Sequence, residues 1–191
     1  MVKNITITEF SRFSLLKPFL YEEEWKHLAE ISRELKIPHP TMRIYLNNLE
    51  KKGILIKSKK GRLTLYKLNY NNPFISNYLV VCEKERLISA CEGNLLLKEI
   101  TSFLQSLNNK DILIFGSAAV NLKEANDIDL IISENIDKKG ISDFESKFKI
   151  KFHIINFNNL KELSDVLKKE IIKKHLIIKN SEYFVKWMLE K

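Results

Sequence analysis

Cysteine is almost missing from this chain of 191 residues: Cys82 and Cys91 are the only two. Their spacing fits no metal site, and both fall in a stretch that reads as helical. Two buried thiols in a reducing compartment are expected, rather than a disulfide or a zinc centre. No run of about 18 uninterrupted apolar residues occurs, which argues against a membrane-spanning helix. The opening residues, MVKNITITEFSRF, lack the apolar stretch and small-residue cleavage site of a signal peptide, so a cytoplasmic location is expected. There is no internal repeat, no low-complexity tract beyond scattered lysines, and no coiled-coil heptad to enforce pairing.

What is present sets the class. Hydrophobic residues make up 45%, ample for a packed core, in a length that suits one medium or two small domains. Lys and Arg number 32 against 24 Asp and Glu, a net charge of +8. That excess favours an anionic partner: nucleic acid, nucleotide or an anionic membrane surface. Abundant Lys, Ile and Asn are also what a biased genome composition produces, so part of the basic charge is discounted.

The stretch that organises the rest is Asp111 to Ser133, DILIFGSAAVNLKEANDIDLIIS. Asp111–Phe115 is an apolar, β-branched and aromatic run, as in a strand covered on both faces. Gly116-Ser117 breaks it, and a backbone without a Cβ lets another group come close. Asp127–Ile132 again reads as a strand. Side chains alternate along a strand, so Asp127 and Asp129 are expected on one face, with Ile128 and Leu130 turned into a core. Two neighbouring carboxylates repel unless a cation or solvent lies between them, and hard divalent cations take such oxygens with phosphate completing the shell.

Gly116-Ser117 followed by Asp127-Ile128-Asp129 resembles the signature of the nucleotidyltransferase superfamily in its minimal stand-alone form. The resemblance implies that Gly116 and Ser117 hold the triphosphate of an incoming nucleotide. It implies that Asp127 and Asp129 are catalytic and bind Mg2+ or Mn2+, with an NTP as substrate or ligand. Active members add a third carboxylate from the next strand. Here the alternating positions read Lys151, His153 and Ile155, with Asn156 beside them, and none is acidic. His153 suits manganese or zinc better than magnesium, or is a polar residue at a strand edge. Glu134 and Asp165 are the acids that can complete the site from elsewhere. The family's further glycine after the serine is replaced by Val120 and Asn121; asparagine tolerates a left-handed bend there.

The first seventy residues carry a second pattern, starting near Ser11. A helix is expected over about Phe13–Tyr21, disturbed by Pro18. An amphipathic helix follows over Glu22–Lys36. Ile37-Pro38-His39-Pro40 ends it, and Pro40 suits the first turn of a new helix over about Pro40–Lys52, which Gly53 stops. Ile54–Ser58 and Arg62–Leu68 read as two short strands joined by the basic tip Lys59-Lys60-Gly61. The segment LAEISRELKIPHPTMRIYLNNLEKKGIL resembles the winged helix-turn-helix family. Transferred by position, His39, Thr41, Arg43, Ile44 and Asn47 face double-stranded DNA, and Lys57, Lys59, Lys60 and Arg62 lie along phosphates.

Asn69–Pro73 is polar with a proline and reads as a boundary. The expected organisation is a winged helix-turn-helix over 1–70, a linker over 71–83 and a nucleotidyltransferase-like domain over 84–191. Phe74–Val81 fits no one state. Glu83–Leu107 reads as one long helix or as two broken near Glu92-Gly93-Asn94. Ser133–Gly140 is read as a loop and Ile141–Phe148 as a helix capped near Ser142. Ile150–Phe157 is a third strand. A helix follows, opened by Asn158 or Asn159, then a short apolar run over Leu176–Ile178 and a terminal helix over Ser181–Leu189. The fold class is α+β, with a mixed sheet in the second domain.

Two functions follow from the resemblances. One is a DNA-associated enzyme that moves a nucleotidyl group from an NTP to a hydroxyl. The other is a non-catalytic transcriptional regulator whose degenerate nucleotidyltransferase-like domain senses nucleotide, dimerises or binds a partner protein. An antitoxin-like partner of a small toxin also fits the short second domain.

Overall fold

The computed structural model describes residues 13–125, 127–134 and 138–190. The start of the N-terminal pattern at Ser11 and residues 135–137 of the expected loop lie outside this set. The chain divides into two compact units, Met1–Cys82 and Glu83–Lys191. It is an α+β protein with two sheets, one antiparallel and one mixed.

In the first unit the run expected as a helix from Phe13 is a 3-10 helix, Ser14–Phe19, with Pro18 inside it. Proline has no amide to donate, so the turn ends soon after it and no α-helix forms here. The amphipathic stretch after Glu22 is shorter than its pattern suggests. It opens with a two-residue strand, β1 (Lys26–His27), and only then becomes α1 (Leu28–Glu34). The His27 ring accepts the Ala29 amide at 3.2 Å, which caps the helix start. The helix ends on left-handed Lys36 (φ 53°), with the Ile37 amide bonded back to the Ser32 carbonyl at 3.0 Å.

Helix α2 (His39–Lys51) follows the Pro38 cap and buries Met42, Leu46 and Leu49. Gly53 at φ 68° closes it in the same way, the Ile54 amide reaching the Leu49 carbonyl at 3.0 Å. Strands β2 (Leu55–Lys60) and β3 (Leu63–Leu68) form an antiparallel hairpin, with β1 on the far side of β3.

Helix α3 (Ile75–Glu92) runs from the first unit into the second. Gly93 and Asn94 separate it from α4 (Leu95–Ser106), whose first turn Asn94 caps by accepting the Leu97 amide. Both cysteines are thiols, but only Cys82 is buried as expected and Cys91 is partly exposed: Cys82 meets the Phe13 carbonyl and Cys91 the Thr101 hydroxyl, each at 3.4 Å.

The second sheet has the order β6-β5-β4-β7. Its strands are β4 (Ile112–Phe115), β5 (Ile128–Ser133), β6 (Phe152–Phe157) and β7 (His175–Lys179). Strand β4 is antiparallel to β5 and β7, while β5 and β6 run parallel through the crossover helix α5 (Lys138–Phe148). Ser142 therefore sits inside α5, not at its cap. One sheet face packs Ile112, Ile114, Ile128, Leu130 and Ile132 against Leu97, Ile100 and Leu104 of α4. The run after Asn158 is a 3-10 turn, Leu160–Glu162, and then α6 (Asp165–Lys173), whose cap is Ser164. Helix α7 (Ser181–Leu189) closes the fold.

Candidate nucleic-acid interface and candidate anion pocket

In α2 about half a turn separates what is buried from what is offered. Thr41, Arg43 and Ile44 are exposed away from the line of Met42 and Leu46, His39 is exposed at the helix start, and Asn47 is half-buried. Lys57, Lys59, Lys60 and Arg62 are exposed along the hairpin. Asn47 and Lys57 do more than face solvent. The Asn47 Oδ1 accepts from Lys57 Nζ at 2.8 Å and from the Tyr66 hydroxyl at 3.2 Å. Lys57 and Tyr66 are cross-strand partners, and the ammonium also lies 5.8 Å from the Tyr66 ring centroid. Burial raises the Tyr66 phenol above its usual range, against the pull of nearby Arg43, so it stays a donor. Helix and hairpin are thus tied by a polar bridge that periodicity does not reveal.

In the second unit β4 ends at Gly116, which is left-handed at φ 73°. A Cβ at this position would stand 2.7 Å from the Asp129 Oδ2, closer than real contacts allow. The glycine is there so that the carboxylate can sit over the turn. The antiparallel register sets Asp129 opposite Phe115, one residue before the glycine. The Gly116 amide donates to the Lys174 carbonyl at 3.0 Å, so it is already spent inside the protein. The Gly116 amide is therefore not open to a phosphate, contrary to what the resemblance implied, while Ser117 beside it is exposed. The Ser117 carbonyl takes the Val120 and Asn121 amides at 3.0 and 2.9 Å, making one helical turn. Asn121 is extended, not left-handed, and its side chain caps the 3-10 helix Leu122–Glu124 by accepting the Lys123 amide. The bend expected at Asn121 is made at Gly116 instead.

Strand β5 begins at Ile128, so Asp127 is the exposed residue just before it rather than its first member. The parallel register sets Asp129 beside His153, and the ring Nδ1 lies 3.0 Å from the Asp129 Oδ1. The carboxylate is 30% exposed and the imidazole 71%, so the pair sits at the rim. His153 stands where a third carboxylate was sought. Glu134 does not supply one. It follows the far end of β5, about 16 Å along the strand from Asp129. There it lines a separate groove of about 460 Å³ with Asn156, Phe157, Asn158 and Glu162. Asp165 is exposed in the first turn of α6. Among the described residues no cluster of three or more His, Cys, Asp or Glu side chains could hold a metal ion.

A buried charged group escaped the sequence reading altogether. Glu83 on α3 and His175 on β7 are fully buried and 3.3 Å apart, Oε1 to Nε2. Arg86 lies 3.5 Å from Glu83 and donates to the His175 carbonyl. Hydropathy assigns all three to the surface, so only the fold exposes this link.

No protein-family model matches the chain, and no curated protein matches it in sequence. Among solved structures it is similar to two mutant forms of the toxin–antitoxin pair MntA-HpeT, each at 16% identity and TM-score 0.34. The match covers 48% of this chain and 82% or 81% of theirs. It is also similar to TrmBL2, an archaeal chromatin protein with a novel mode of DNA binding, at 16% identity and TM-score 0.28. That match covers 85% of this chain and 70% of that one. Likeness at this level carries no argument about activity. No helix among the described residues is long and apolar enough to cross a membrane.

Proposed function

We propose that this chain is a DNA-binding regulator whose second unit takes a nucleoside triphosphate. The N-terminal unit is read as a winged helix-turn-helix and the C-terminal unit as a small nucleotidyltransferase-like domain. One observation carries the DNA reading. Helix α2 buries Met42, Leu46 and Leu49 and turns Thr41, Arg43 and Ile44 outward, on the unit whose hairpin bears Lys59, Lys60 and Arg62. An exposed helix beside a basic hairpin matches a major groove flanked by phosphates. The test is binding of the full chain to duplex DNA across a salt series. A steep linear fall of log affinity with log salt is expected, and no binding at low salt overturns the reading.

The nucleotide reading is favoured by the approach of Asp129 to the Gly116–Ser117 turn. Ser117 would receive phosphate oxygens. Asp129 and Asp127 fit a hard cation only when triphosphate oxygens complete its shell, since these residues do not make a standing metal site. Magnesium or manganese bound this way would neutralise the phosphates. Group transfer, in which an acceptor oxygen bonds the α-phosphorus and pyrophosphate leaves, is the second reading. His153 on Asp129, where an acid is needed, weighs for sensing over transfer. Titration with a fluorescent ATP analogue tests binding, and pyrophosphate release tests transfer. Binding without release supports the sensor; release lost in Asp129→Ala supports the enzyme.

A further inference from the structure

Within α2, the residues that turn outward are not equivalent. Ile44 lies about 200° round the helix from Met42, at two residues of about 100° each, so it occupies the middle of the outward face. It is 60% exposed. Thr41 sits one turn before it, on the i−3 position of the same face. Arg43 and Asn47 lie on the flank nearer the hairpin. Asn47 is tied there, since its one carbonyl oxygen already receives both Lys57 and Tyr66.

Recognition of adenine by asparagine is bidentate: Oδ1 must accept from N6 while Nδ2 donates to N7. An amide has one such oxygen with two lone pairs, and both are engaged. To read a base, Asn47 would have to give up two hydrogen bonds that anchor the helix to the hairpin. The outward apolar group has a match in the major groove as well. Thymine alone among the four bases presents a methyl group there, and isoleucine and the threonine methyl are groups that contact it. The cationic surroundings, Arg43 beside Ile44 and the hairpin lysines, suit a polyanion rather than an apolar partner.

Building on the DNA-binding reading, we infer that Ile44, with Thr41, reads thymine C5-methyl groups in the major groove. Asn47 reads no base: it is a positioning residue that holds α2 against the hairpin. Sequence preference in this chain therefore comes from a methyl contact and from Arg43, not from an asparagine–adenine pair.

The experiment uses the full chain and a duplex that it recovers from a random-sequence pool. That duplex is made again with deoxyuridine in place of each thymine in turn, and with 7-deazaadenine in place of each adenine. Deoxyuridine lacks only the methyl. Wild-type protein is expected to lose about fourfold in affinity at one or two positions, the value of one buried methyl-sized group. Ile44→Ala is expected to lose the preference for thymine over deoxyuridine at the position it contacts, and Ile44→Ala combined with Thr41→Ser to bind both forms equally. Ile44 is exposed, so the variant folds. Asn47→Ala is expected to weaken all duplexes alike, and Tyr66→Phe to do the same to a smaller degree. Equal wild-type affinity for the thymine and deoxyuridine forms overturns the methyl contact. A loss at one 7-deazaadenine that Asn47→Ala abolishes overturns the positioning role. Failure to bind any duplex at low salt overturns the DNA reading itself and leaves this face to an acidic protein.

Discussion

The Asp129 carboxylate meets the His153 ring at 3.0 Å, Oδ1 to Nδ1, directly across the parallel pair β5–β6. Whatever side chain stands at 153 therefore faces Asp129. His153→Glu places a second carboxylate against the first, and like charges so placed repel. About 1 kcal/mol of loss lowers the melting temperature by roughly 2–4 °C in a chain of this size. Magnesium with ATP is expected to restore it, because a ligand of the folded state stabilises that state. Melting curves with and without magnesium-ATP check this; identical curves would mean that residue 153 has no part in the pocket.

Gly116 cannot accept a side chain without moving Asp129. In Gly116→Ala the new Cβ meets the Oδ2, and φ 73° is unfavourable for alanine. A stability loss of about 1–3 kcal/mol is expected, with weaker binding of a fluorescent ATP analogue. Urea unfolding measures the first and titration the second. An unmoved urea midpoint would refute the close approach.

Lys59 and Lys60, which end β2 rather than forming the turn expected of them, are expected to neutralise phosphate. Each alanine substitution should reduce the log–log salt slope of DNA binding by about 1 and weaken all sequences alike. Arg43→Ala should instead cost about 1–3 kcal/mol and relax preference at one base pair. Competition binding at several salt concentrations separates the two patterns. A slope that neither lysine changes would place the hairpin away from the backbone.

Tyr70 donates its hydroxyl to the Glu22 carbonyl at 3.0 Å. Burial, helped by Glu23 and Glu22, pushes its phenol from 10.0 up to about 12. The folded state therefore keeps a proton that the unfolded chain has released. Stability from this group is whole below pH 10 and falls as pH rises towards 12, the unfolded form being favoured in that window. The ring is partly exposed, so the effect is muted by solvent. Alkaline unfolding curves of wild type and Tyr70→Phe should diverge above pH 10, and the variant should lose the tyrosinate absorbance that appears near 12. Tyr70 titrating near 10 would contradict this.

Glu83 sits between His175 and Arg86 in the interior of the second unit. Glu83→Ala leaves the Arg86 guanidinium without its counterpart and removes the partner of the His175 ring, and a loss of about 3–5 kcal/mol is expected. Glu83→Gln keeps the shape and a hydrogen-bonding oxygen and should cost less. Guanidinium unfolding of both variants decides it; equal losses would show that shape, not charge, matters at this point.

Elements with a strong local signature were legible in the sequence. Pro40 and Gly53 bracket α2, the apolar runs give β4 and β5, and Ser181–Leu189 is a helix as its pattern indicates. What stayed hidden depends on partners distant in the chain. The two residues of β1 have no periodicity of their own and become a strand only by pairing with β3. After Asn158 the Asn159 side chain caps only the 3-10 turn Leu160–Glu162, and α6 starts later, capped by Ser164. At the candidate site, Gly116 and Asp129 were legible as types, but the bond from the Gly116 amide to Lys174 was not. His153 was visible as a non-acid, yet only the parallel register brings it onto Asp129. Asn47 shows the same limit: its residue type suits base reading, and its neighbours occupy the atom that reading needs.

The bond from the Gly116 amide to the Lys174 carbonyl has a spectroscopic consequence. That single proton is shielded from solvent only while β4 and the entry to β7 stay zipped together. Its rate of exchange with deuterium is therefore a gauge of how often the turn breathes, readable before any ligand has been found.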